Sequence, residues 1–85
     1  MNRRKLLARL AGGAFDNVAF TDFRSLAEGF GFELARVSGS HHIFRHPAIP
    51  ELLSVQSVAG EAKPYQIRQL LRLVERYNLP LEDEP

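Results

Sequence analysis

The chain has 85 residues, of which 45% are hydrophobic and 25% charged, a composition typical of one globular domain and not of a disordered segment. It contains no cysteine, which excludes disulfides and thiolate zinc sites. No apolar run approaches the roughly 18 residues that a membrane span requires. Arg9 interrupts the short basic and apolar stretch that resembles a signal peptide. We therefore expect a cytoplasmic protein with no membrane contact.

The formal net charge of +1 conceals an uneven distribution. Three acidic residues lie in the last four positions, so residues 1–80 carry eleven basic and seven acidic side chains, a charge of +4. Such a basic bias is compatible with a phosphate-bearing partner, but it is also common in domains that have none. Charge alone does not decide between these classes.

Two helices are predicted in the first third of the chain. The first covers residues 3–11, because three leucines lie on one face and two glycines follow; these leucines are Leu6, Leu7 and Leu10. After a connector over residues 14–20, Thr21 has the side chain of a good N-cap for the second helix. The core-facing stripe of this helix follows helical spacing and consists of Phe23, Leu26, Ala27 and Phe30.

From Phe32 onward the hydrophobic pattern alternates, which predicts three antiparallel strands and a final helix. Ser38-Gly39 is the expected two-residue hairpin turn, since glycine tolerates the positive φ that tight turns need. Pro64 fits the first position of the last helix. The expected elements are strands over residues 32–37, 40–46 and 52–58, and a helix from Pro64 to about Tyr77.

This order predicts an α+β fold, α-α-β-β-β-α, in which a three-stranded antiparallel sheet carries the helices on one face and leaves the other exposed. The architecture is that of small double-stranded-RNA-binding-like domains with one additional N-terminal helix. We divide the chain into an N-terminal helix and connector (residues 1–20), the main domain (21–79) and an acidic, solvated tail (80–85).

All three histidines of the chain lie within six positions, at 41, 42 and 46. Histidine exchanges its proton near neutral pH and suits general acid or base catalysis. Because side chains alternate along a strand, His41 and Arg45 are expected on one face, and His42, Phe44 and His46 on the other. With Phe44 in the core, the outward arginine would hold a phosphate while the outward histidine moved a proton. His42 remains the alternative catalyst, because one further turn residue would reverse the facing of the strands.

Other interpretations of these residues compete with catalysis. A histidine on a strand is more often a surface or core residue than a catalyst. A zinc site is not expected, because alternation separates His41 from the other two histidines, and no cofactor is predicted. Basic residues at every fourth position of the last helix are typical of a solvated face, although with Lys63 they are also candidates for contacts with RNA or a partner protein: Arg68, Arg72 and Arg76.

A family resemblance rests on Gly31-Phe32, Arg36 and the run Gly39–Pro47 (GSHHIFRHP), followed by a strand and a terminal helix. Over residues 21–79 the chain resembles the HicA family of toxins, which are small mRNA interferases with a double-stranded-RNA-binding-like fold, partnered by the antitoxin HicB. The resemblance implies that His41, directly after Gly-Ser, is the catalytic residue. It also implies a metal-independent endoribonuclease that cleaves mRNA and is neutralised by a HicB-type antitoxin.

We expect the free protein to be a monomer in which His41 acts as general base or acid. The residues expected to hold RNA phosphates are inferred from charge and strand position, and are Arg36, Arg45 and Lys63. Gly39 and Ser40 are expected to shape the turn that presents His41, and the serine to hydrogen-bond a phosphate. The third strand departs from the Pro-x-His pattern of the family. Here Gln56 is followed by Ser57, and this strand contains no histidine.

Two alternatives to the toxin remain. One is a non-catalytic RNA-binding module that uses the same sheet face. The other is a pure interaction protein, in which Leu6, Leu7 and Leu10 form an exposed docking stripe.

Overall fold

The computed structural model of the protein describes residues 2–82, in which three helices and four strands form one α+β unit. In chain order the elements are α1 (Arg3–Ala11), α2 (Phe20–Gly29), β1 (Glu33–Ser38), β2 (His41–Arg45), β3 (Leu53–Val58), β4 (Glu61–Ala62) and α3 (Pro64–Tyr77). The predicted fold class and the order of the larger elements are confirmed. The prediction of three strands is wrong by one, because β4 extends the sheet.

The sheet is antiparallel, with spatial order β1-β2-β3-β4, and the helices cover only one of its faces. On the covered face Phe44, Leu53 and Val55 are fully buried. They pack with apolar side chains of α2 and α3, which include Phe23, Leu26, Ala27, Ile67 and Leu70. The opposite face, called the open face below, carries the polar and charged partners of these alternating residues. This separation follows from the period of two along a strand.

The fourth strand is produced by a tight turn at Ala59-Gly60. Both turn residues have positive φ, 52° and 78°, as a type I′ hairpin turn requires. Ser57 and Val58 consequently pair with Ala62 and Glu61. A strand of two residues is too short to show alternation in the sequence, which is why the pattern predicted only a turn here.

The second helix begins two residues earlier than a Thr21 N-cap would allow. Phe20 is the first helical residue, and Ala19, the N-cap, supplies no side-chain hydrogen bond. The Phe20 amide instead donates to the Gly60 carbonyl at 2.8 Å, and its ring is buried. A tertiary contact with the β3–β4 turn therefore sets the start of α2, so the expected role of Thr21 was wrong.

The β1–β2 turn consists of Gly39-Ser40 and not of Ser38-Gly39 as expected. Ser38 pairs with His41 across the hairpin, and Gly39 adopts φ 61° at the first turn position. Glycine is favoured there because it has no Cβ to oppose a positive φ. The turn still has two residues, so the predicted alternation along β2 is kept.

Helix α1 packs on the domain and does not present a free leucine stripe. Leu6 and Leu10 are 6% and 1% exposed and belong to the common core, and Leu7 is half-buried against it. The Arg3 guanidinium donates to Ser25 Oγ of α2 at 3.1 Å. The interpretation as a protein with these leucines as an exposed docking stripe is therefore wrong.

The start of the expected C-terminal tail also contacts the domain. Leu81 packs partly buried against the core, and the Glu82 amide donates to the Gly29 carbonyl at 2.7 Å. Both approach α2 so closely that a Cβ on Gly29 would meet the Leu81 side chain at 2.9 Å. This differs from a wholly solvated tail; residues 83–85 lie outside the described part of the chain.

Candidate active site

The three histidines of the GSHHIFRHP run have different surroundings. His42 lies on the covered face and is half-buried, with its ring 4.7 Å from that of Phe20. Its Nδ1 lies 3.3 Å from the Ser40 carbonyl oxygen, and because a carbonyl can only accept, Nδ1–H is the donor. His42 therefore faces the helices and binds its own turn, which makes it a poor candidate for contact with a substrate on the open face.

His46 is a structural residue with both ring nitrogens in use. Its Nε2–H donates to the Phe30 carbonyl at 3.0 Å, and its Nδ1 accepts from the Ala48 amide at 3.0 Å. The ring also lies edge-on to Phe32, with the centroids 5.2 Å apart. The bonds fix one neutral tautomer and tie the segment after β2 to the end of α2, so no nitrogen of His46 is left for proton transfer.

His41 lies on the open face, as the alternation predicts. Its side chain is exposed, and its cross-strand partners are Ser38 on β1 and Gln56 on β3. Within residues 2–82 no hydrogen bond, ion pair or ring contact reaches the His41 imidazole. Of the three histidines, it is the one whose ring nitrogens are both available to a ligand.

Two arginines share the open face with His41. Arg36 pairs with Ile43, and among the described residues it has no ion-pair partner. Arg45 pairs with Glu33, whose carboxylate lies 3.8 Å from the Arg45 guanidinium. This pair is well exposed on both sides, so water screens it and the arginine remains accessible to a phosphate. The two guanidiniums therefore lie on the same surface as the imidazole.

Gly39 and Ser40 form the turn directly before His41, and a residue of β3 holds this turn. The Gln56 side-chain amide donates to Ser40 Oγ at 2.9 Å. Gln56 was not among the predicted site residues. Its place opposite His41 follows from the β2–β3 register, which the sequence does not specify. Only a paired alignment of the two strands would have given a signal for it.

Lys63 lies on the far side of β3 from His41, at the sheet edge that β4 forms. It is the N-cap of α3, just after β4, and it lines a polar cavity of about 300 Å³ together with Phe15, Asp16 and Glu61. No residue of the β1–β2 hairpin lines this cavity. Because Lys63 directly follows Ala62, which pairs with Ser57, it comes level with Gln56 and His41 in the sheet, and its grouping with His41 stays a prediction.

The basic residues of α3 also lie away from the open face. The helix packs toward the sheet through Ile67, Leu70 and Leu73, so its arginines point to the opposite side. The Arg68 guanidinium lies over the Phe15 ring at 5.2 Å, and Arg76 lies 3.4 Å from the Glu51 carboxylate. These contacts are those of a solvated helix face.

The described residues contain neither a cluster of metal ligands nor a helix that could span a membrane. Within residues 2–82, no three side chains of histidine, aspartate or glutamate come together as a set of metal ligands. In the same part of the chain, none of the helices combines the length and the apolar character needed to cross a bilayer.

The fold and the site define a small α+β domain that presents a histidine and two arginines on an uncovered sheet face. Comparison with protein families matches residues 20–75 to the family described as the HicA toxin of bacterial toxin–antitoxin systems. The match covers more than half of the chain, and the chain belongs to the HicA toxin family. The comparisons with curated proteins and with solved structures each found no match.

Proposed function

We propose that the protein is a metal-independent endoribonuclease that cleaves mRNA in the cytoplasm, with His41 as its catalytic residue. The observation that carries the proposal is the position of His41 in a HicA-family chain. Its side chain is exposed on the open face, has no bonded partner among residues 2–82, and shares this face with Arg36 and Arg45. His42 is the less favourable alternative, because its Nδ1 is bonded to the Ser40 carbonyl and its ring packs on Phe20.

The reaction uses a nucleophile that RNA itself supplies. The ribose 2′-oxygen attacks the adjacent phosphorus, the bond from phosphorus to the 5′-oxygen breaks, and a 2′,3′-cyclic phosphate remains on the upstream fragment. One proton leaves the 2′-hydroxyl and one is added to the 5′-oxygen. His41 makes one of these transfers, and water, which reaches the open face, makes the other.

The two arginines of the open face bind the substrate. Charge develops on the phosphate oxygens as the 2′-oxygen attacks, and guanidinium groups stabilise such charge through paired N–H donors. Arg36 and Arg45 take this role. Gly39 allows the tight turn, and Ser40 holds the turn that presents His41. Lys63, which lies at the α3 N-cap just beyond β4, stays a further candidate for a phosphate contact.

A toxin of this kind needs an inhibitor that blocks the open face. We propose a HicB-type antitoxin as that partner, which would cover His41 and the two arginines. The geometry suits steric inhibition, because His41, Arg36 and Arg45 are all exposed on the open face.

The test is induced expression of wild type, His41→Ala and His42→Ala, with growth and total mRNA followed together. We expect arrest and mRNA loss with wild type, and neither with His41→Ala, because loss of a general acid or base lowers the rate by about 10²–10⁴-fold. Cleavage of purified RNA in the presence of a chelator checks the metal independence. Co-expression of a HicB-type antitoxin should restore growth.

The possible outcomes separate the alternatives. Equal arrest by wild type and His41→Ala would move catalysis to His42 or to another residue. Normal growth with wild type, together with RNA that is bound with steep salt dependence but left intact, would establish the non-catalytic binding module instead.

A further inference from the structure

The turn before His41 is held by side chains and not by packing. Gly39 and Ser40 are exposed, and apart from Gly39 and its two chain neighbours no residue comes within 4 Å of the position where a Gly39 Cβ would be. A hairpin tip with so few contacts opens locally at little cost in free energy. His41 is itself paired on both sides in β2, so the part of the site that depends on side-chain hydrogen bonds is the turn that leads into it.

Two hydrogen bonds from the neighbouring residues hold Ser40. Gln56 Nε2 donates to its hydroxyl oxygen at 2.9 Å, and His42 Nδ1 donates to its carbonyl at 3.3 Å. The first bond ties the turn to β3, and the second ties it to a ring that packs on Phe20. Ser40 is thus fixed relative to the sheet on one side and to the core on the other.

Gln56 is placed to act on the His41 position specifically. It is the residue of β3 that pairs with His41. β3 is an inner strand of the sheet, and two of its own residues, Leu53 and Val55, are fully buried. The Gln56 amide that donates to Ser40 is therefore anchored in a strand that the core holds in place. An error of about 1 Å in the placement of a reacting group can lower a rate by about 10²-fold, so such a support has catalytic consequences.

We propose that Gln56 is a positioning residue: its side-chain amide holds Ser40 and so fixes the backbone from which His41 projects. The inference rests on the proposed role of His41. Gln56 acts through Ser40 and need not touch the RNA.

The test measures RNA cleavage by purified wild type, Gln56→Ala, Ser40→Ala and the double variant. Gln56→Ala is expected to lower kcat by about 10- to 100-fold with little change in KM, because the imidazole is misplaced while the phosphate contacts remain. The double variant should lose no more kcat than the more damaging single variant, since both changes break one bond. Ser54→Ala, on the same strand and face but without a bond to the turn, should stay within about twofold of wild type.

A conservative variant and a measurement that needs no activity complete the experiment. In Gln56→Glu the Ser40 hydroxyl can donate to the new carboxylate, so part of the lost kcat should return relative to Gln56→Ala. NMR relaxation of the amides of residues 39–42 should show a more mobile turn in Gln56→Ala than in wild type or Ser54→Ala.

Each other result has a definite meaning. Additive losses with a raised KM would overturn the inference and make Gln56 a direct RNA contact. Unchanged kcat and unchanged turn mobility in Gln56→Ala would also overturn it. If wild type and His41→Ala are equally inactive, the proposed function fails, and the NMR measurement alone then decides whether Gln56 orders the turn that carries His41.

Discussion

His41 and His46 lie on the same stretch of chain, yet the two faces of the sheet give them opposite roles. On the covered side both ring nitrogens of His46 are hydrogen-bonded to backbone groups, and the ring packs against Phe32. On the open side His41 pairs in the ladder with the exposed Ser38 and the half-buried Gln56, and its imidazole has no bonded partner among residues 2–82. Residue type and spacing are therefore insufficient to choose a candidate catalyst among the histidines, and the structure adds whether the ring nitrogens are already hydrogen-bonded.

Gly31, next to His46, and Gly39, in the turn before His41, differ in how closely they are surrounded. Gly31 and Gly39 both have positive φ, 98° and 61°. A Cβ on Gly31 would lie 2.6 Å from His46 Nε2, whereas one on Gly39 would have nothing within 4 Å. The covered region is constrained by conformation and by space together, and the open region by conformation alone.

The largest effect on stability is expected at Gly31, where a positive φ and a lack of space for a Cβ both oppose substitution. Gly31→Ala should lower the free energy of unfolding by about 2–4 kcal/mol, because the backbone is strained and the new Cβ displaces His46 from the Phe30 carbonyl. Gly39→Ala should cost about 1 kcal/mol, the conformational part only. Urea denaturation of both variants measures the difference. Equal losses would mean that the contact with His46 does not matter.

A matched pair of histidine variants tests the comparison directly. His46→Ala should destabilise the protein by about 2 kcal/mol, since the Phe30 carbonyl and the Ala48 amide lose their partner. His41→Ala should change stability by less than about 0.5 kcal/mol, as expected for an exposed side chain without bonds. The same urea titration applies. The distinction between the two faces would not survive a result in which His41→Ala is the more destabilising variant.

Tyr77, at the end of α3, has a raised pKa. Tyr77 Oη donates to Glu51 Oε1 at 2.5 Å, and this hydrogen bond is the main cause that raises the pKa of Tyr77 above 10.0. Partial burial and the Glu51 charge raise the pKa further, while the neighbouring Arg76 lowers it. The stabilisation is therefore fully present below the unfolded pKa and is lost as the pH rises through the folded one.

The test is a spectroscopic titration of the phenolate in a Tyr65→Phe background, which leaves Tyr77 as the only tyrosine. Glu51→Gln should return the pKa of Tyr77 toward 10.0, and it should reduce the loss of stability above that pH. A midpoint that does not move would show that the Glu51 carboxylate is not the hydrogen-bond acceptor in solution.

The smallest expected effect concerns the exposed ion pair on the open face. Glu33→Gln should leave stability within about 0.5 kcal/mol, because surface pairs contribute little. It should also release Arg45 and tighten RNA binding about two- to fivefold at low salt. Glu28→Gln, which removes the partner of Arg24 on α2, is the matched control and should not affect binding. Similar gains in both variants would reduce the effect to one of net charge.

Several features of the protein follow from local patterns in the sequence. The 3.6-residue spacing of Phe23, Leu26 and Phe30 predicts the buried face of α2, and Pro64 marks the start of α3. The alternation along β2 places His41 and Arg45 on one face, and a turn shifted by one residue did not disturb it. The GSHHIFRHP run also indicates the family, which the match over residues 20–75 confirms.

Other features depend on residues that are distant in the sequence. The start of α2 is set by the bond of Phe20 to Gly60, β4 by a turn with two positive φ values, and the role of His46 by the carbonyl of Phe30. Gln56 became a candidate only through its register opposite His41. Periodicity reports which side of an element is buried, because burial repeats with the backbone geometry. It does not report which groups meet across elements, because that depends on strand register and helix docking, which the whole core determines.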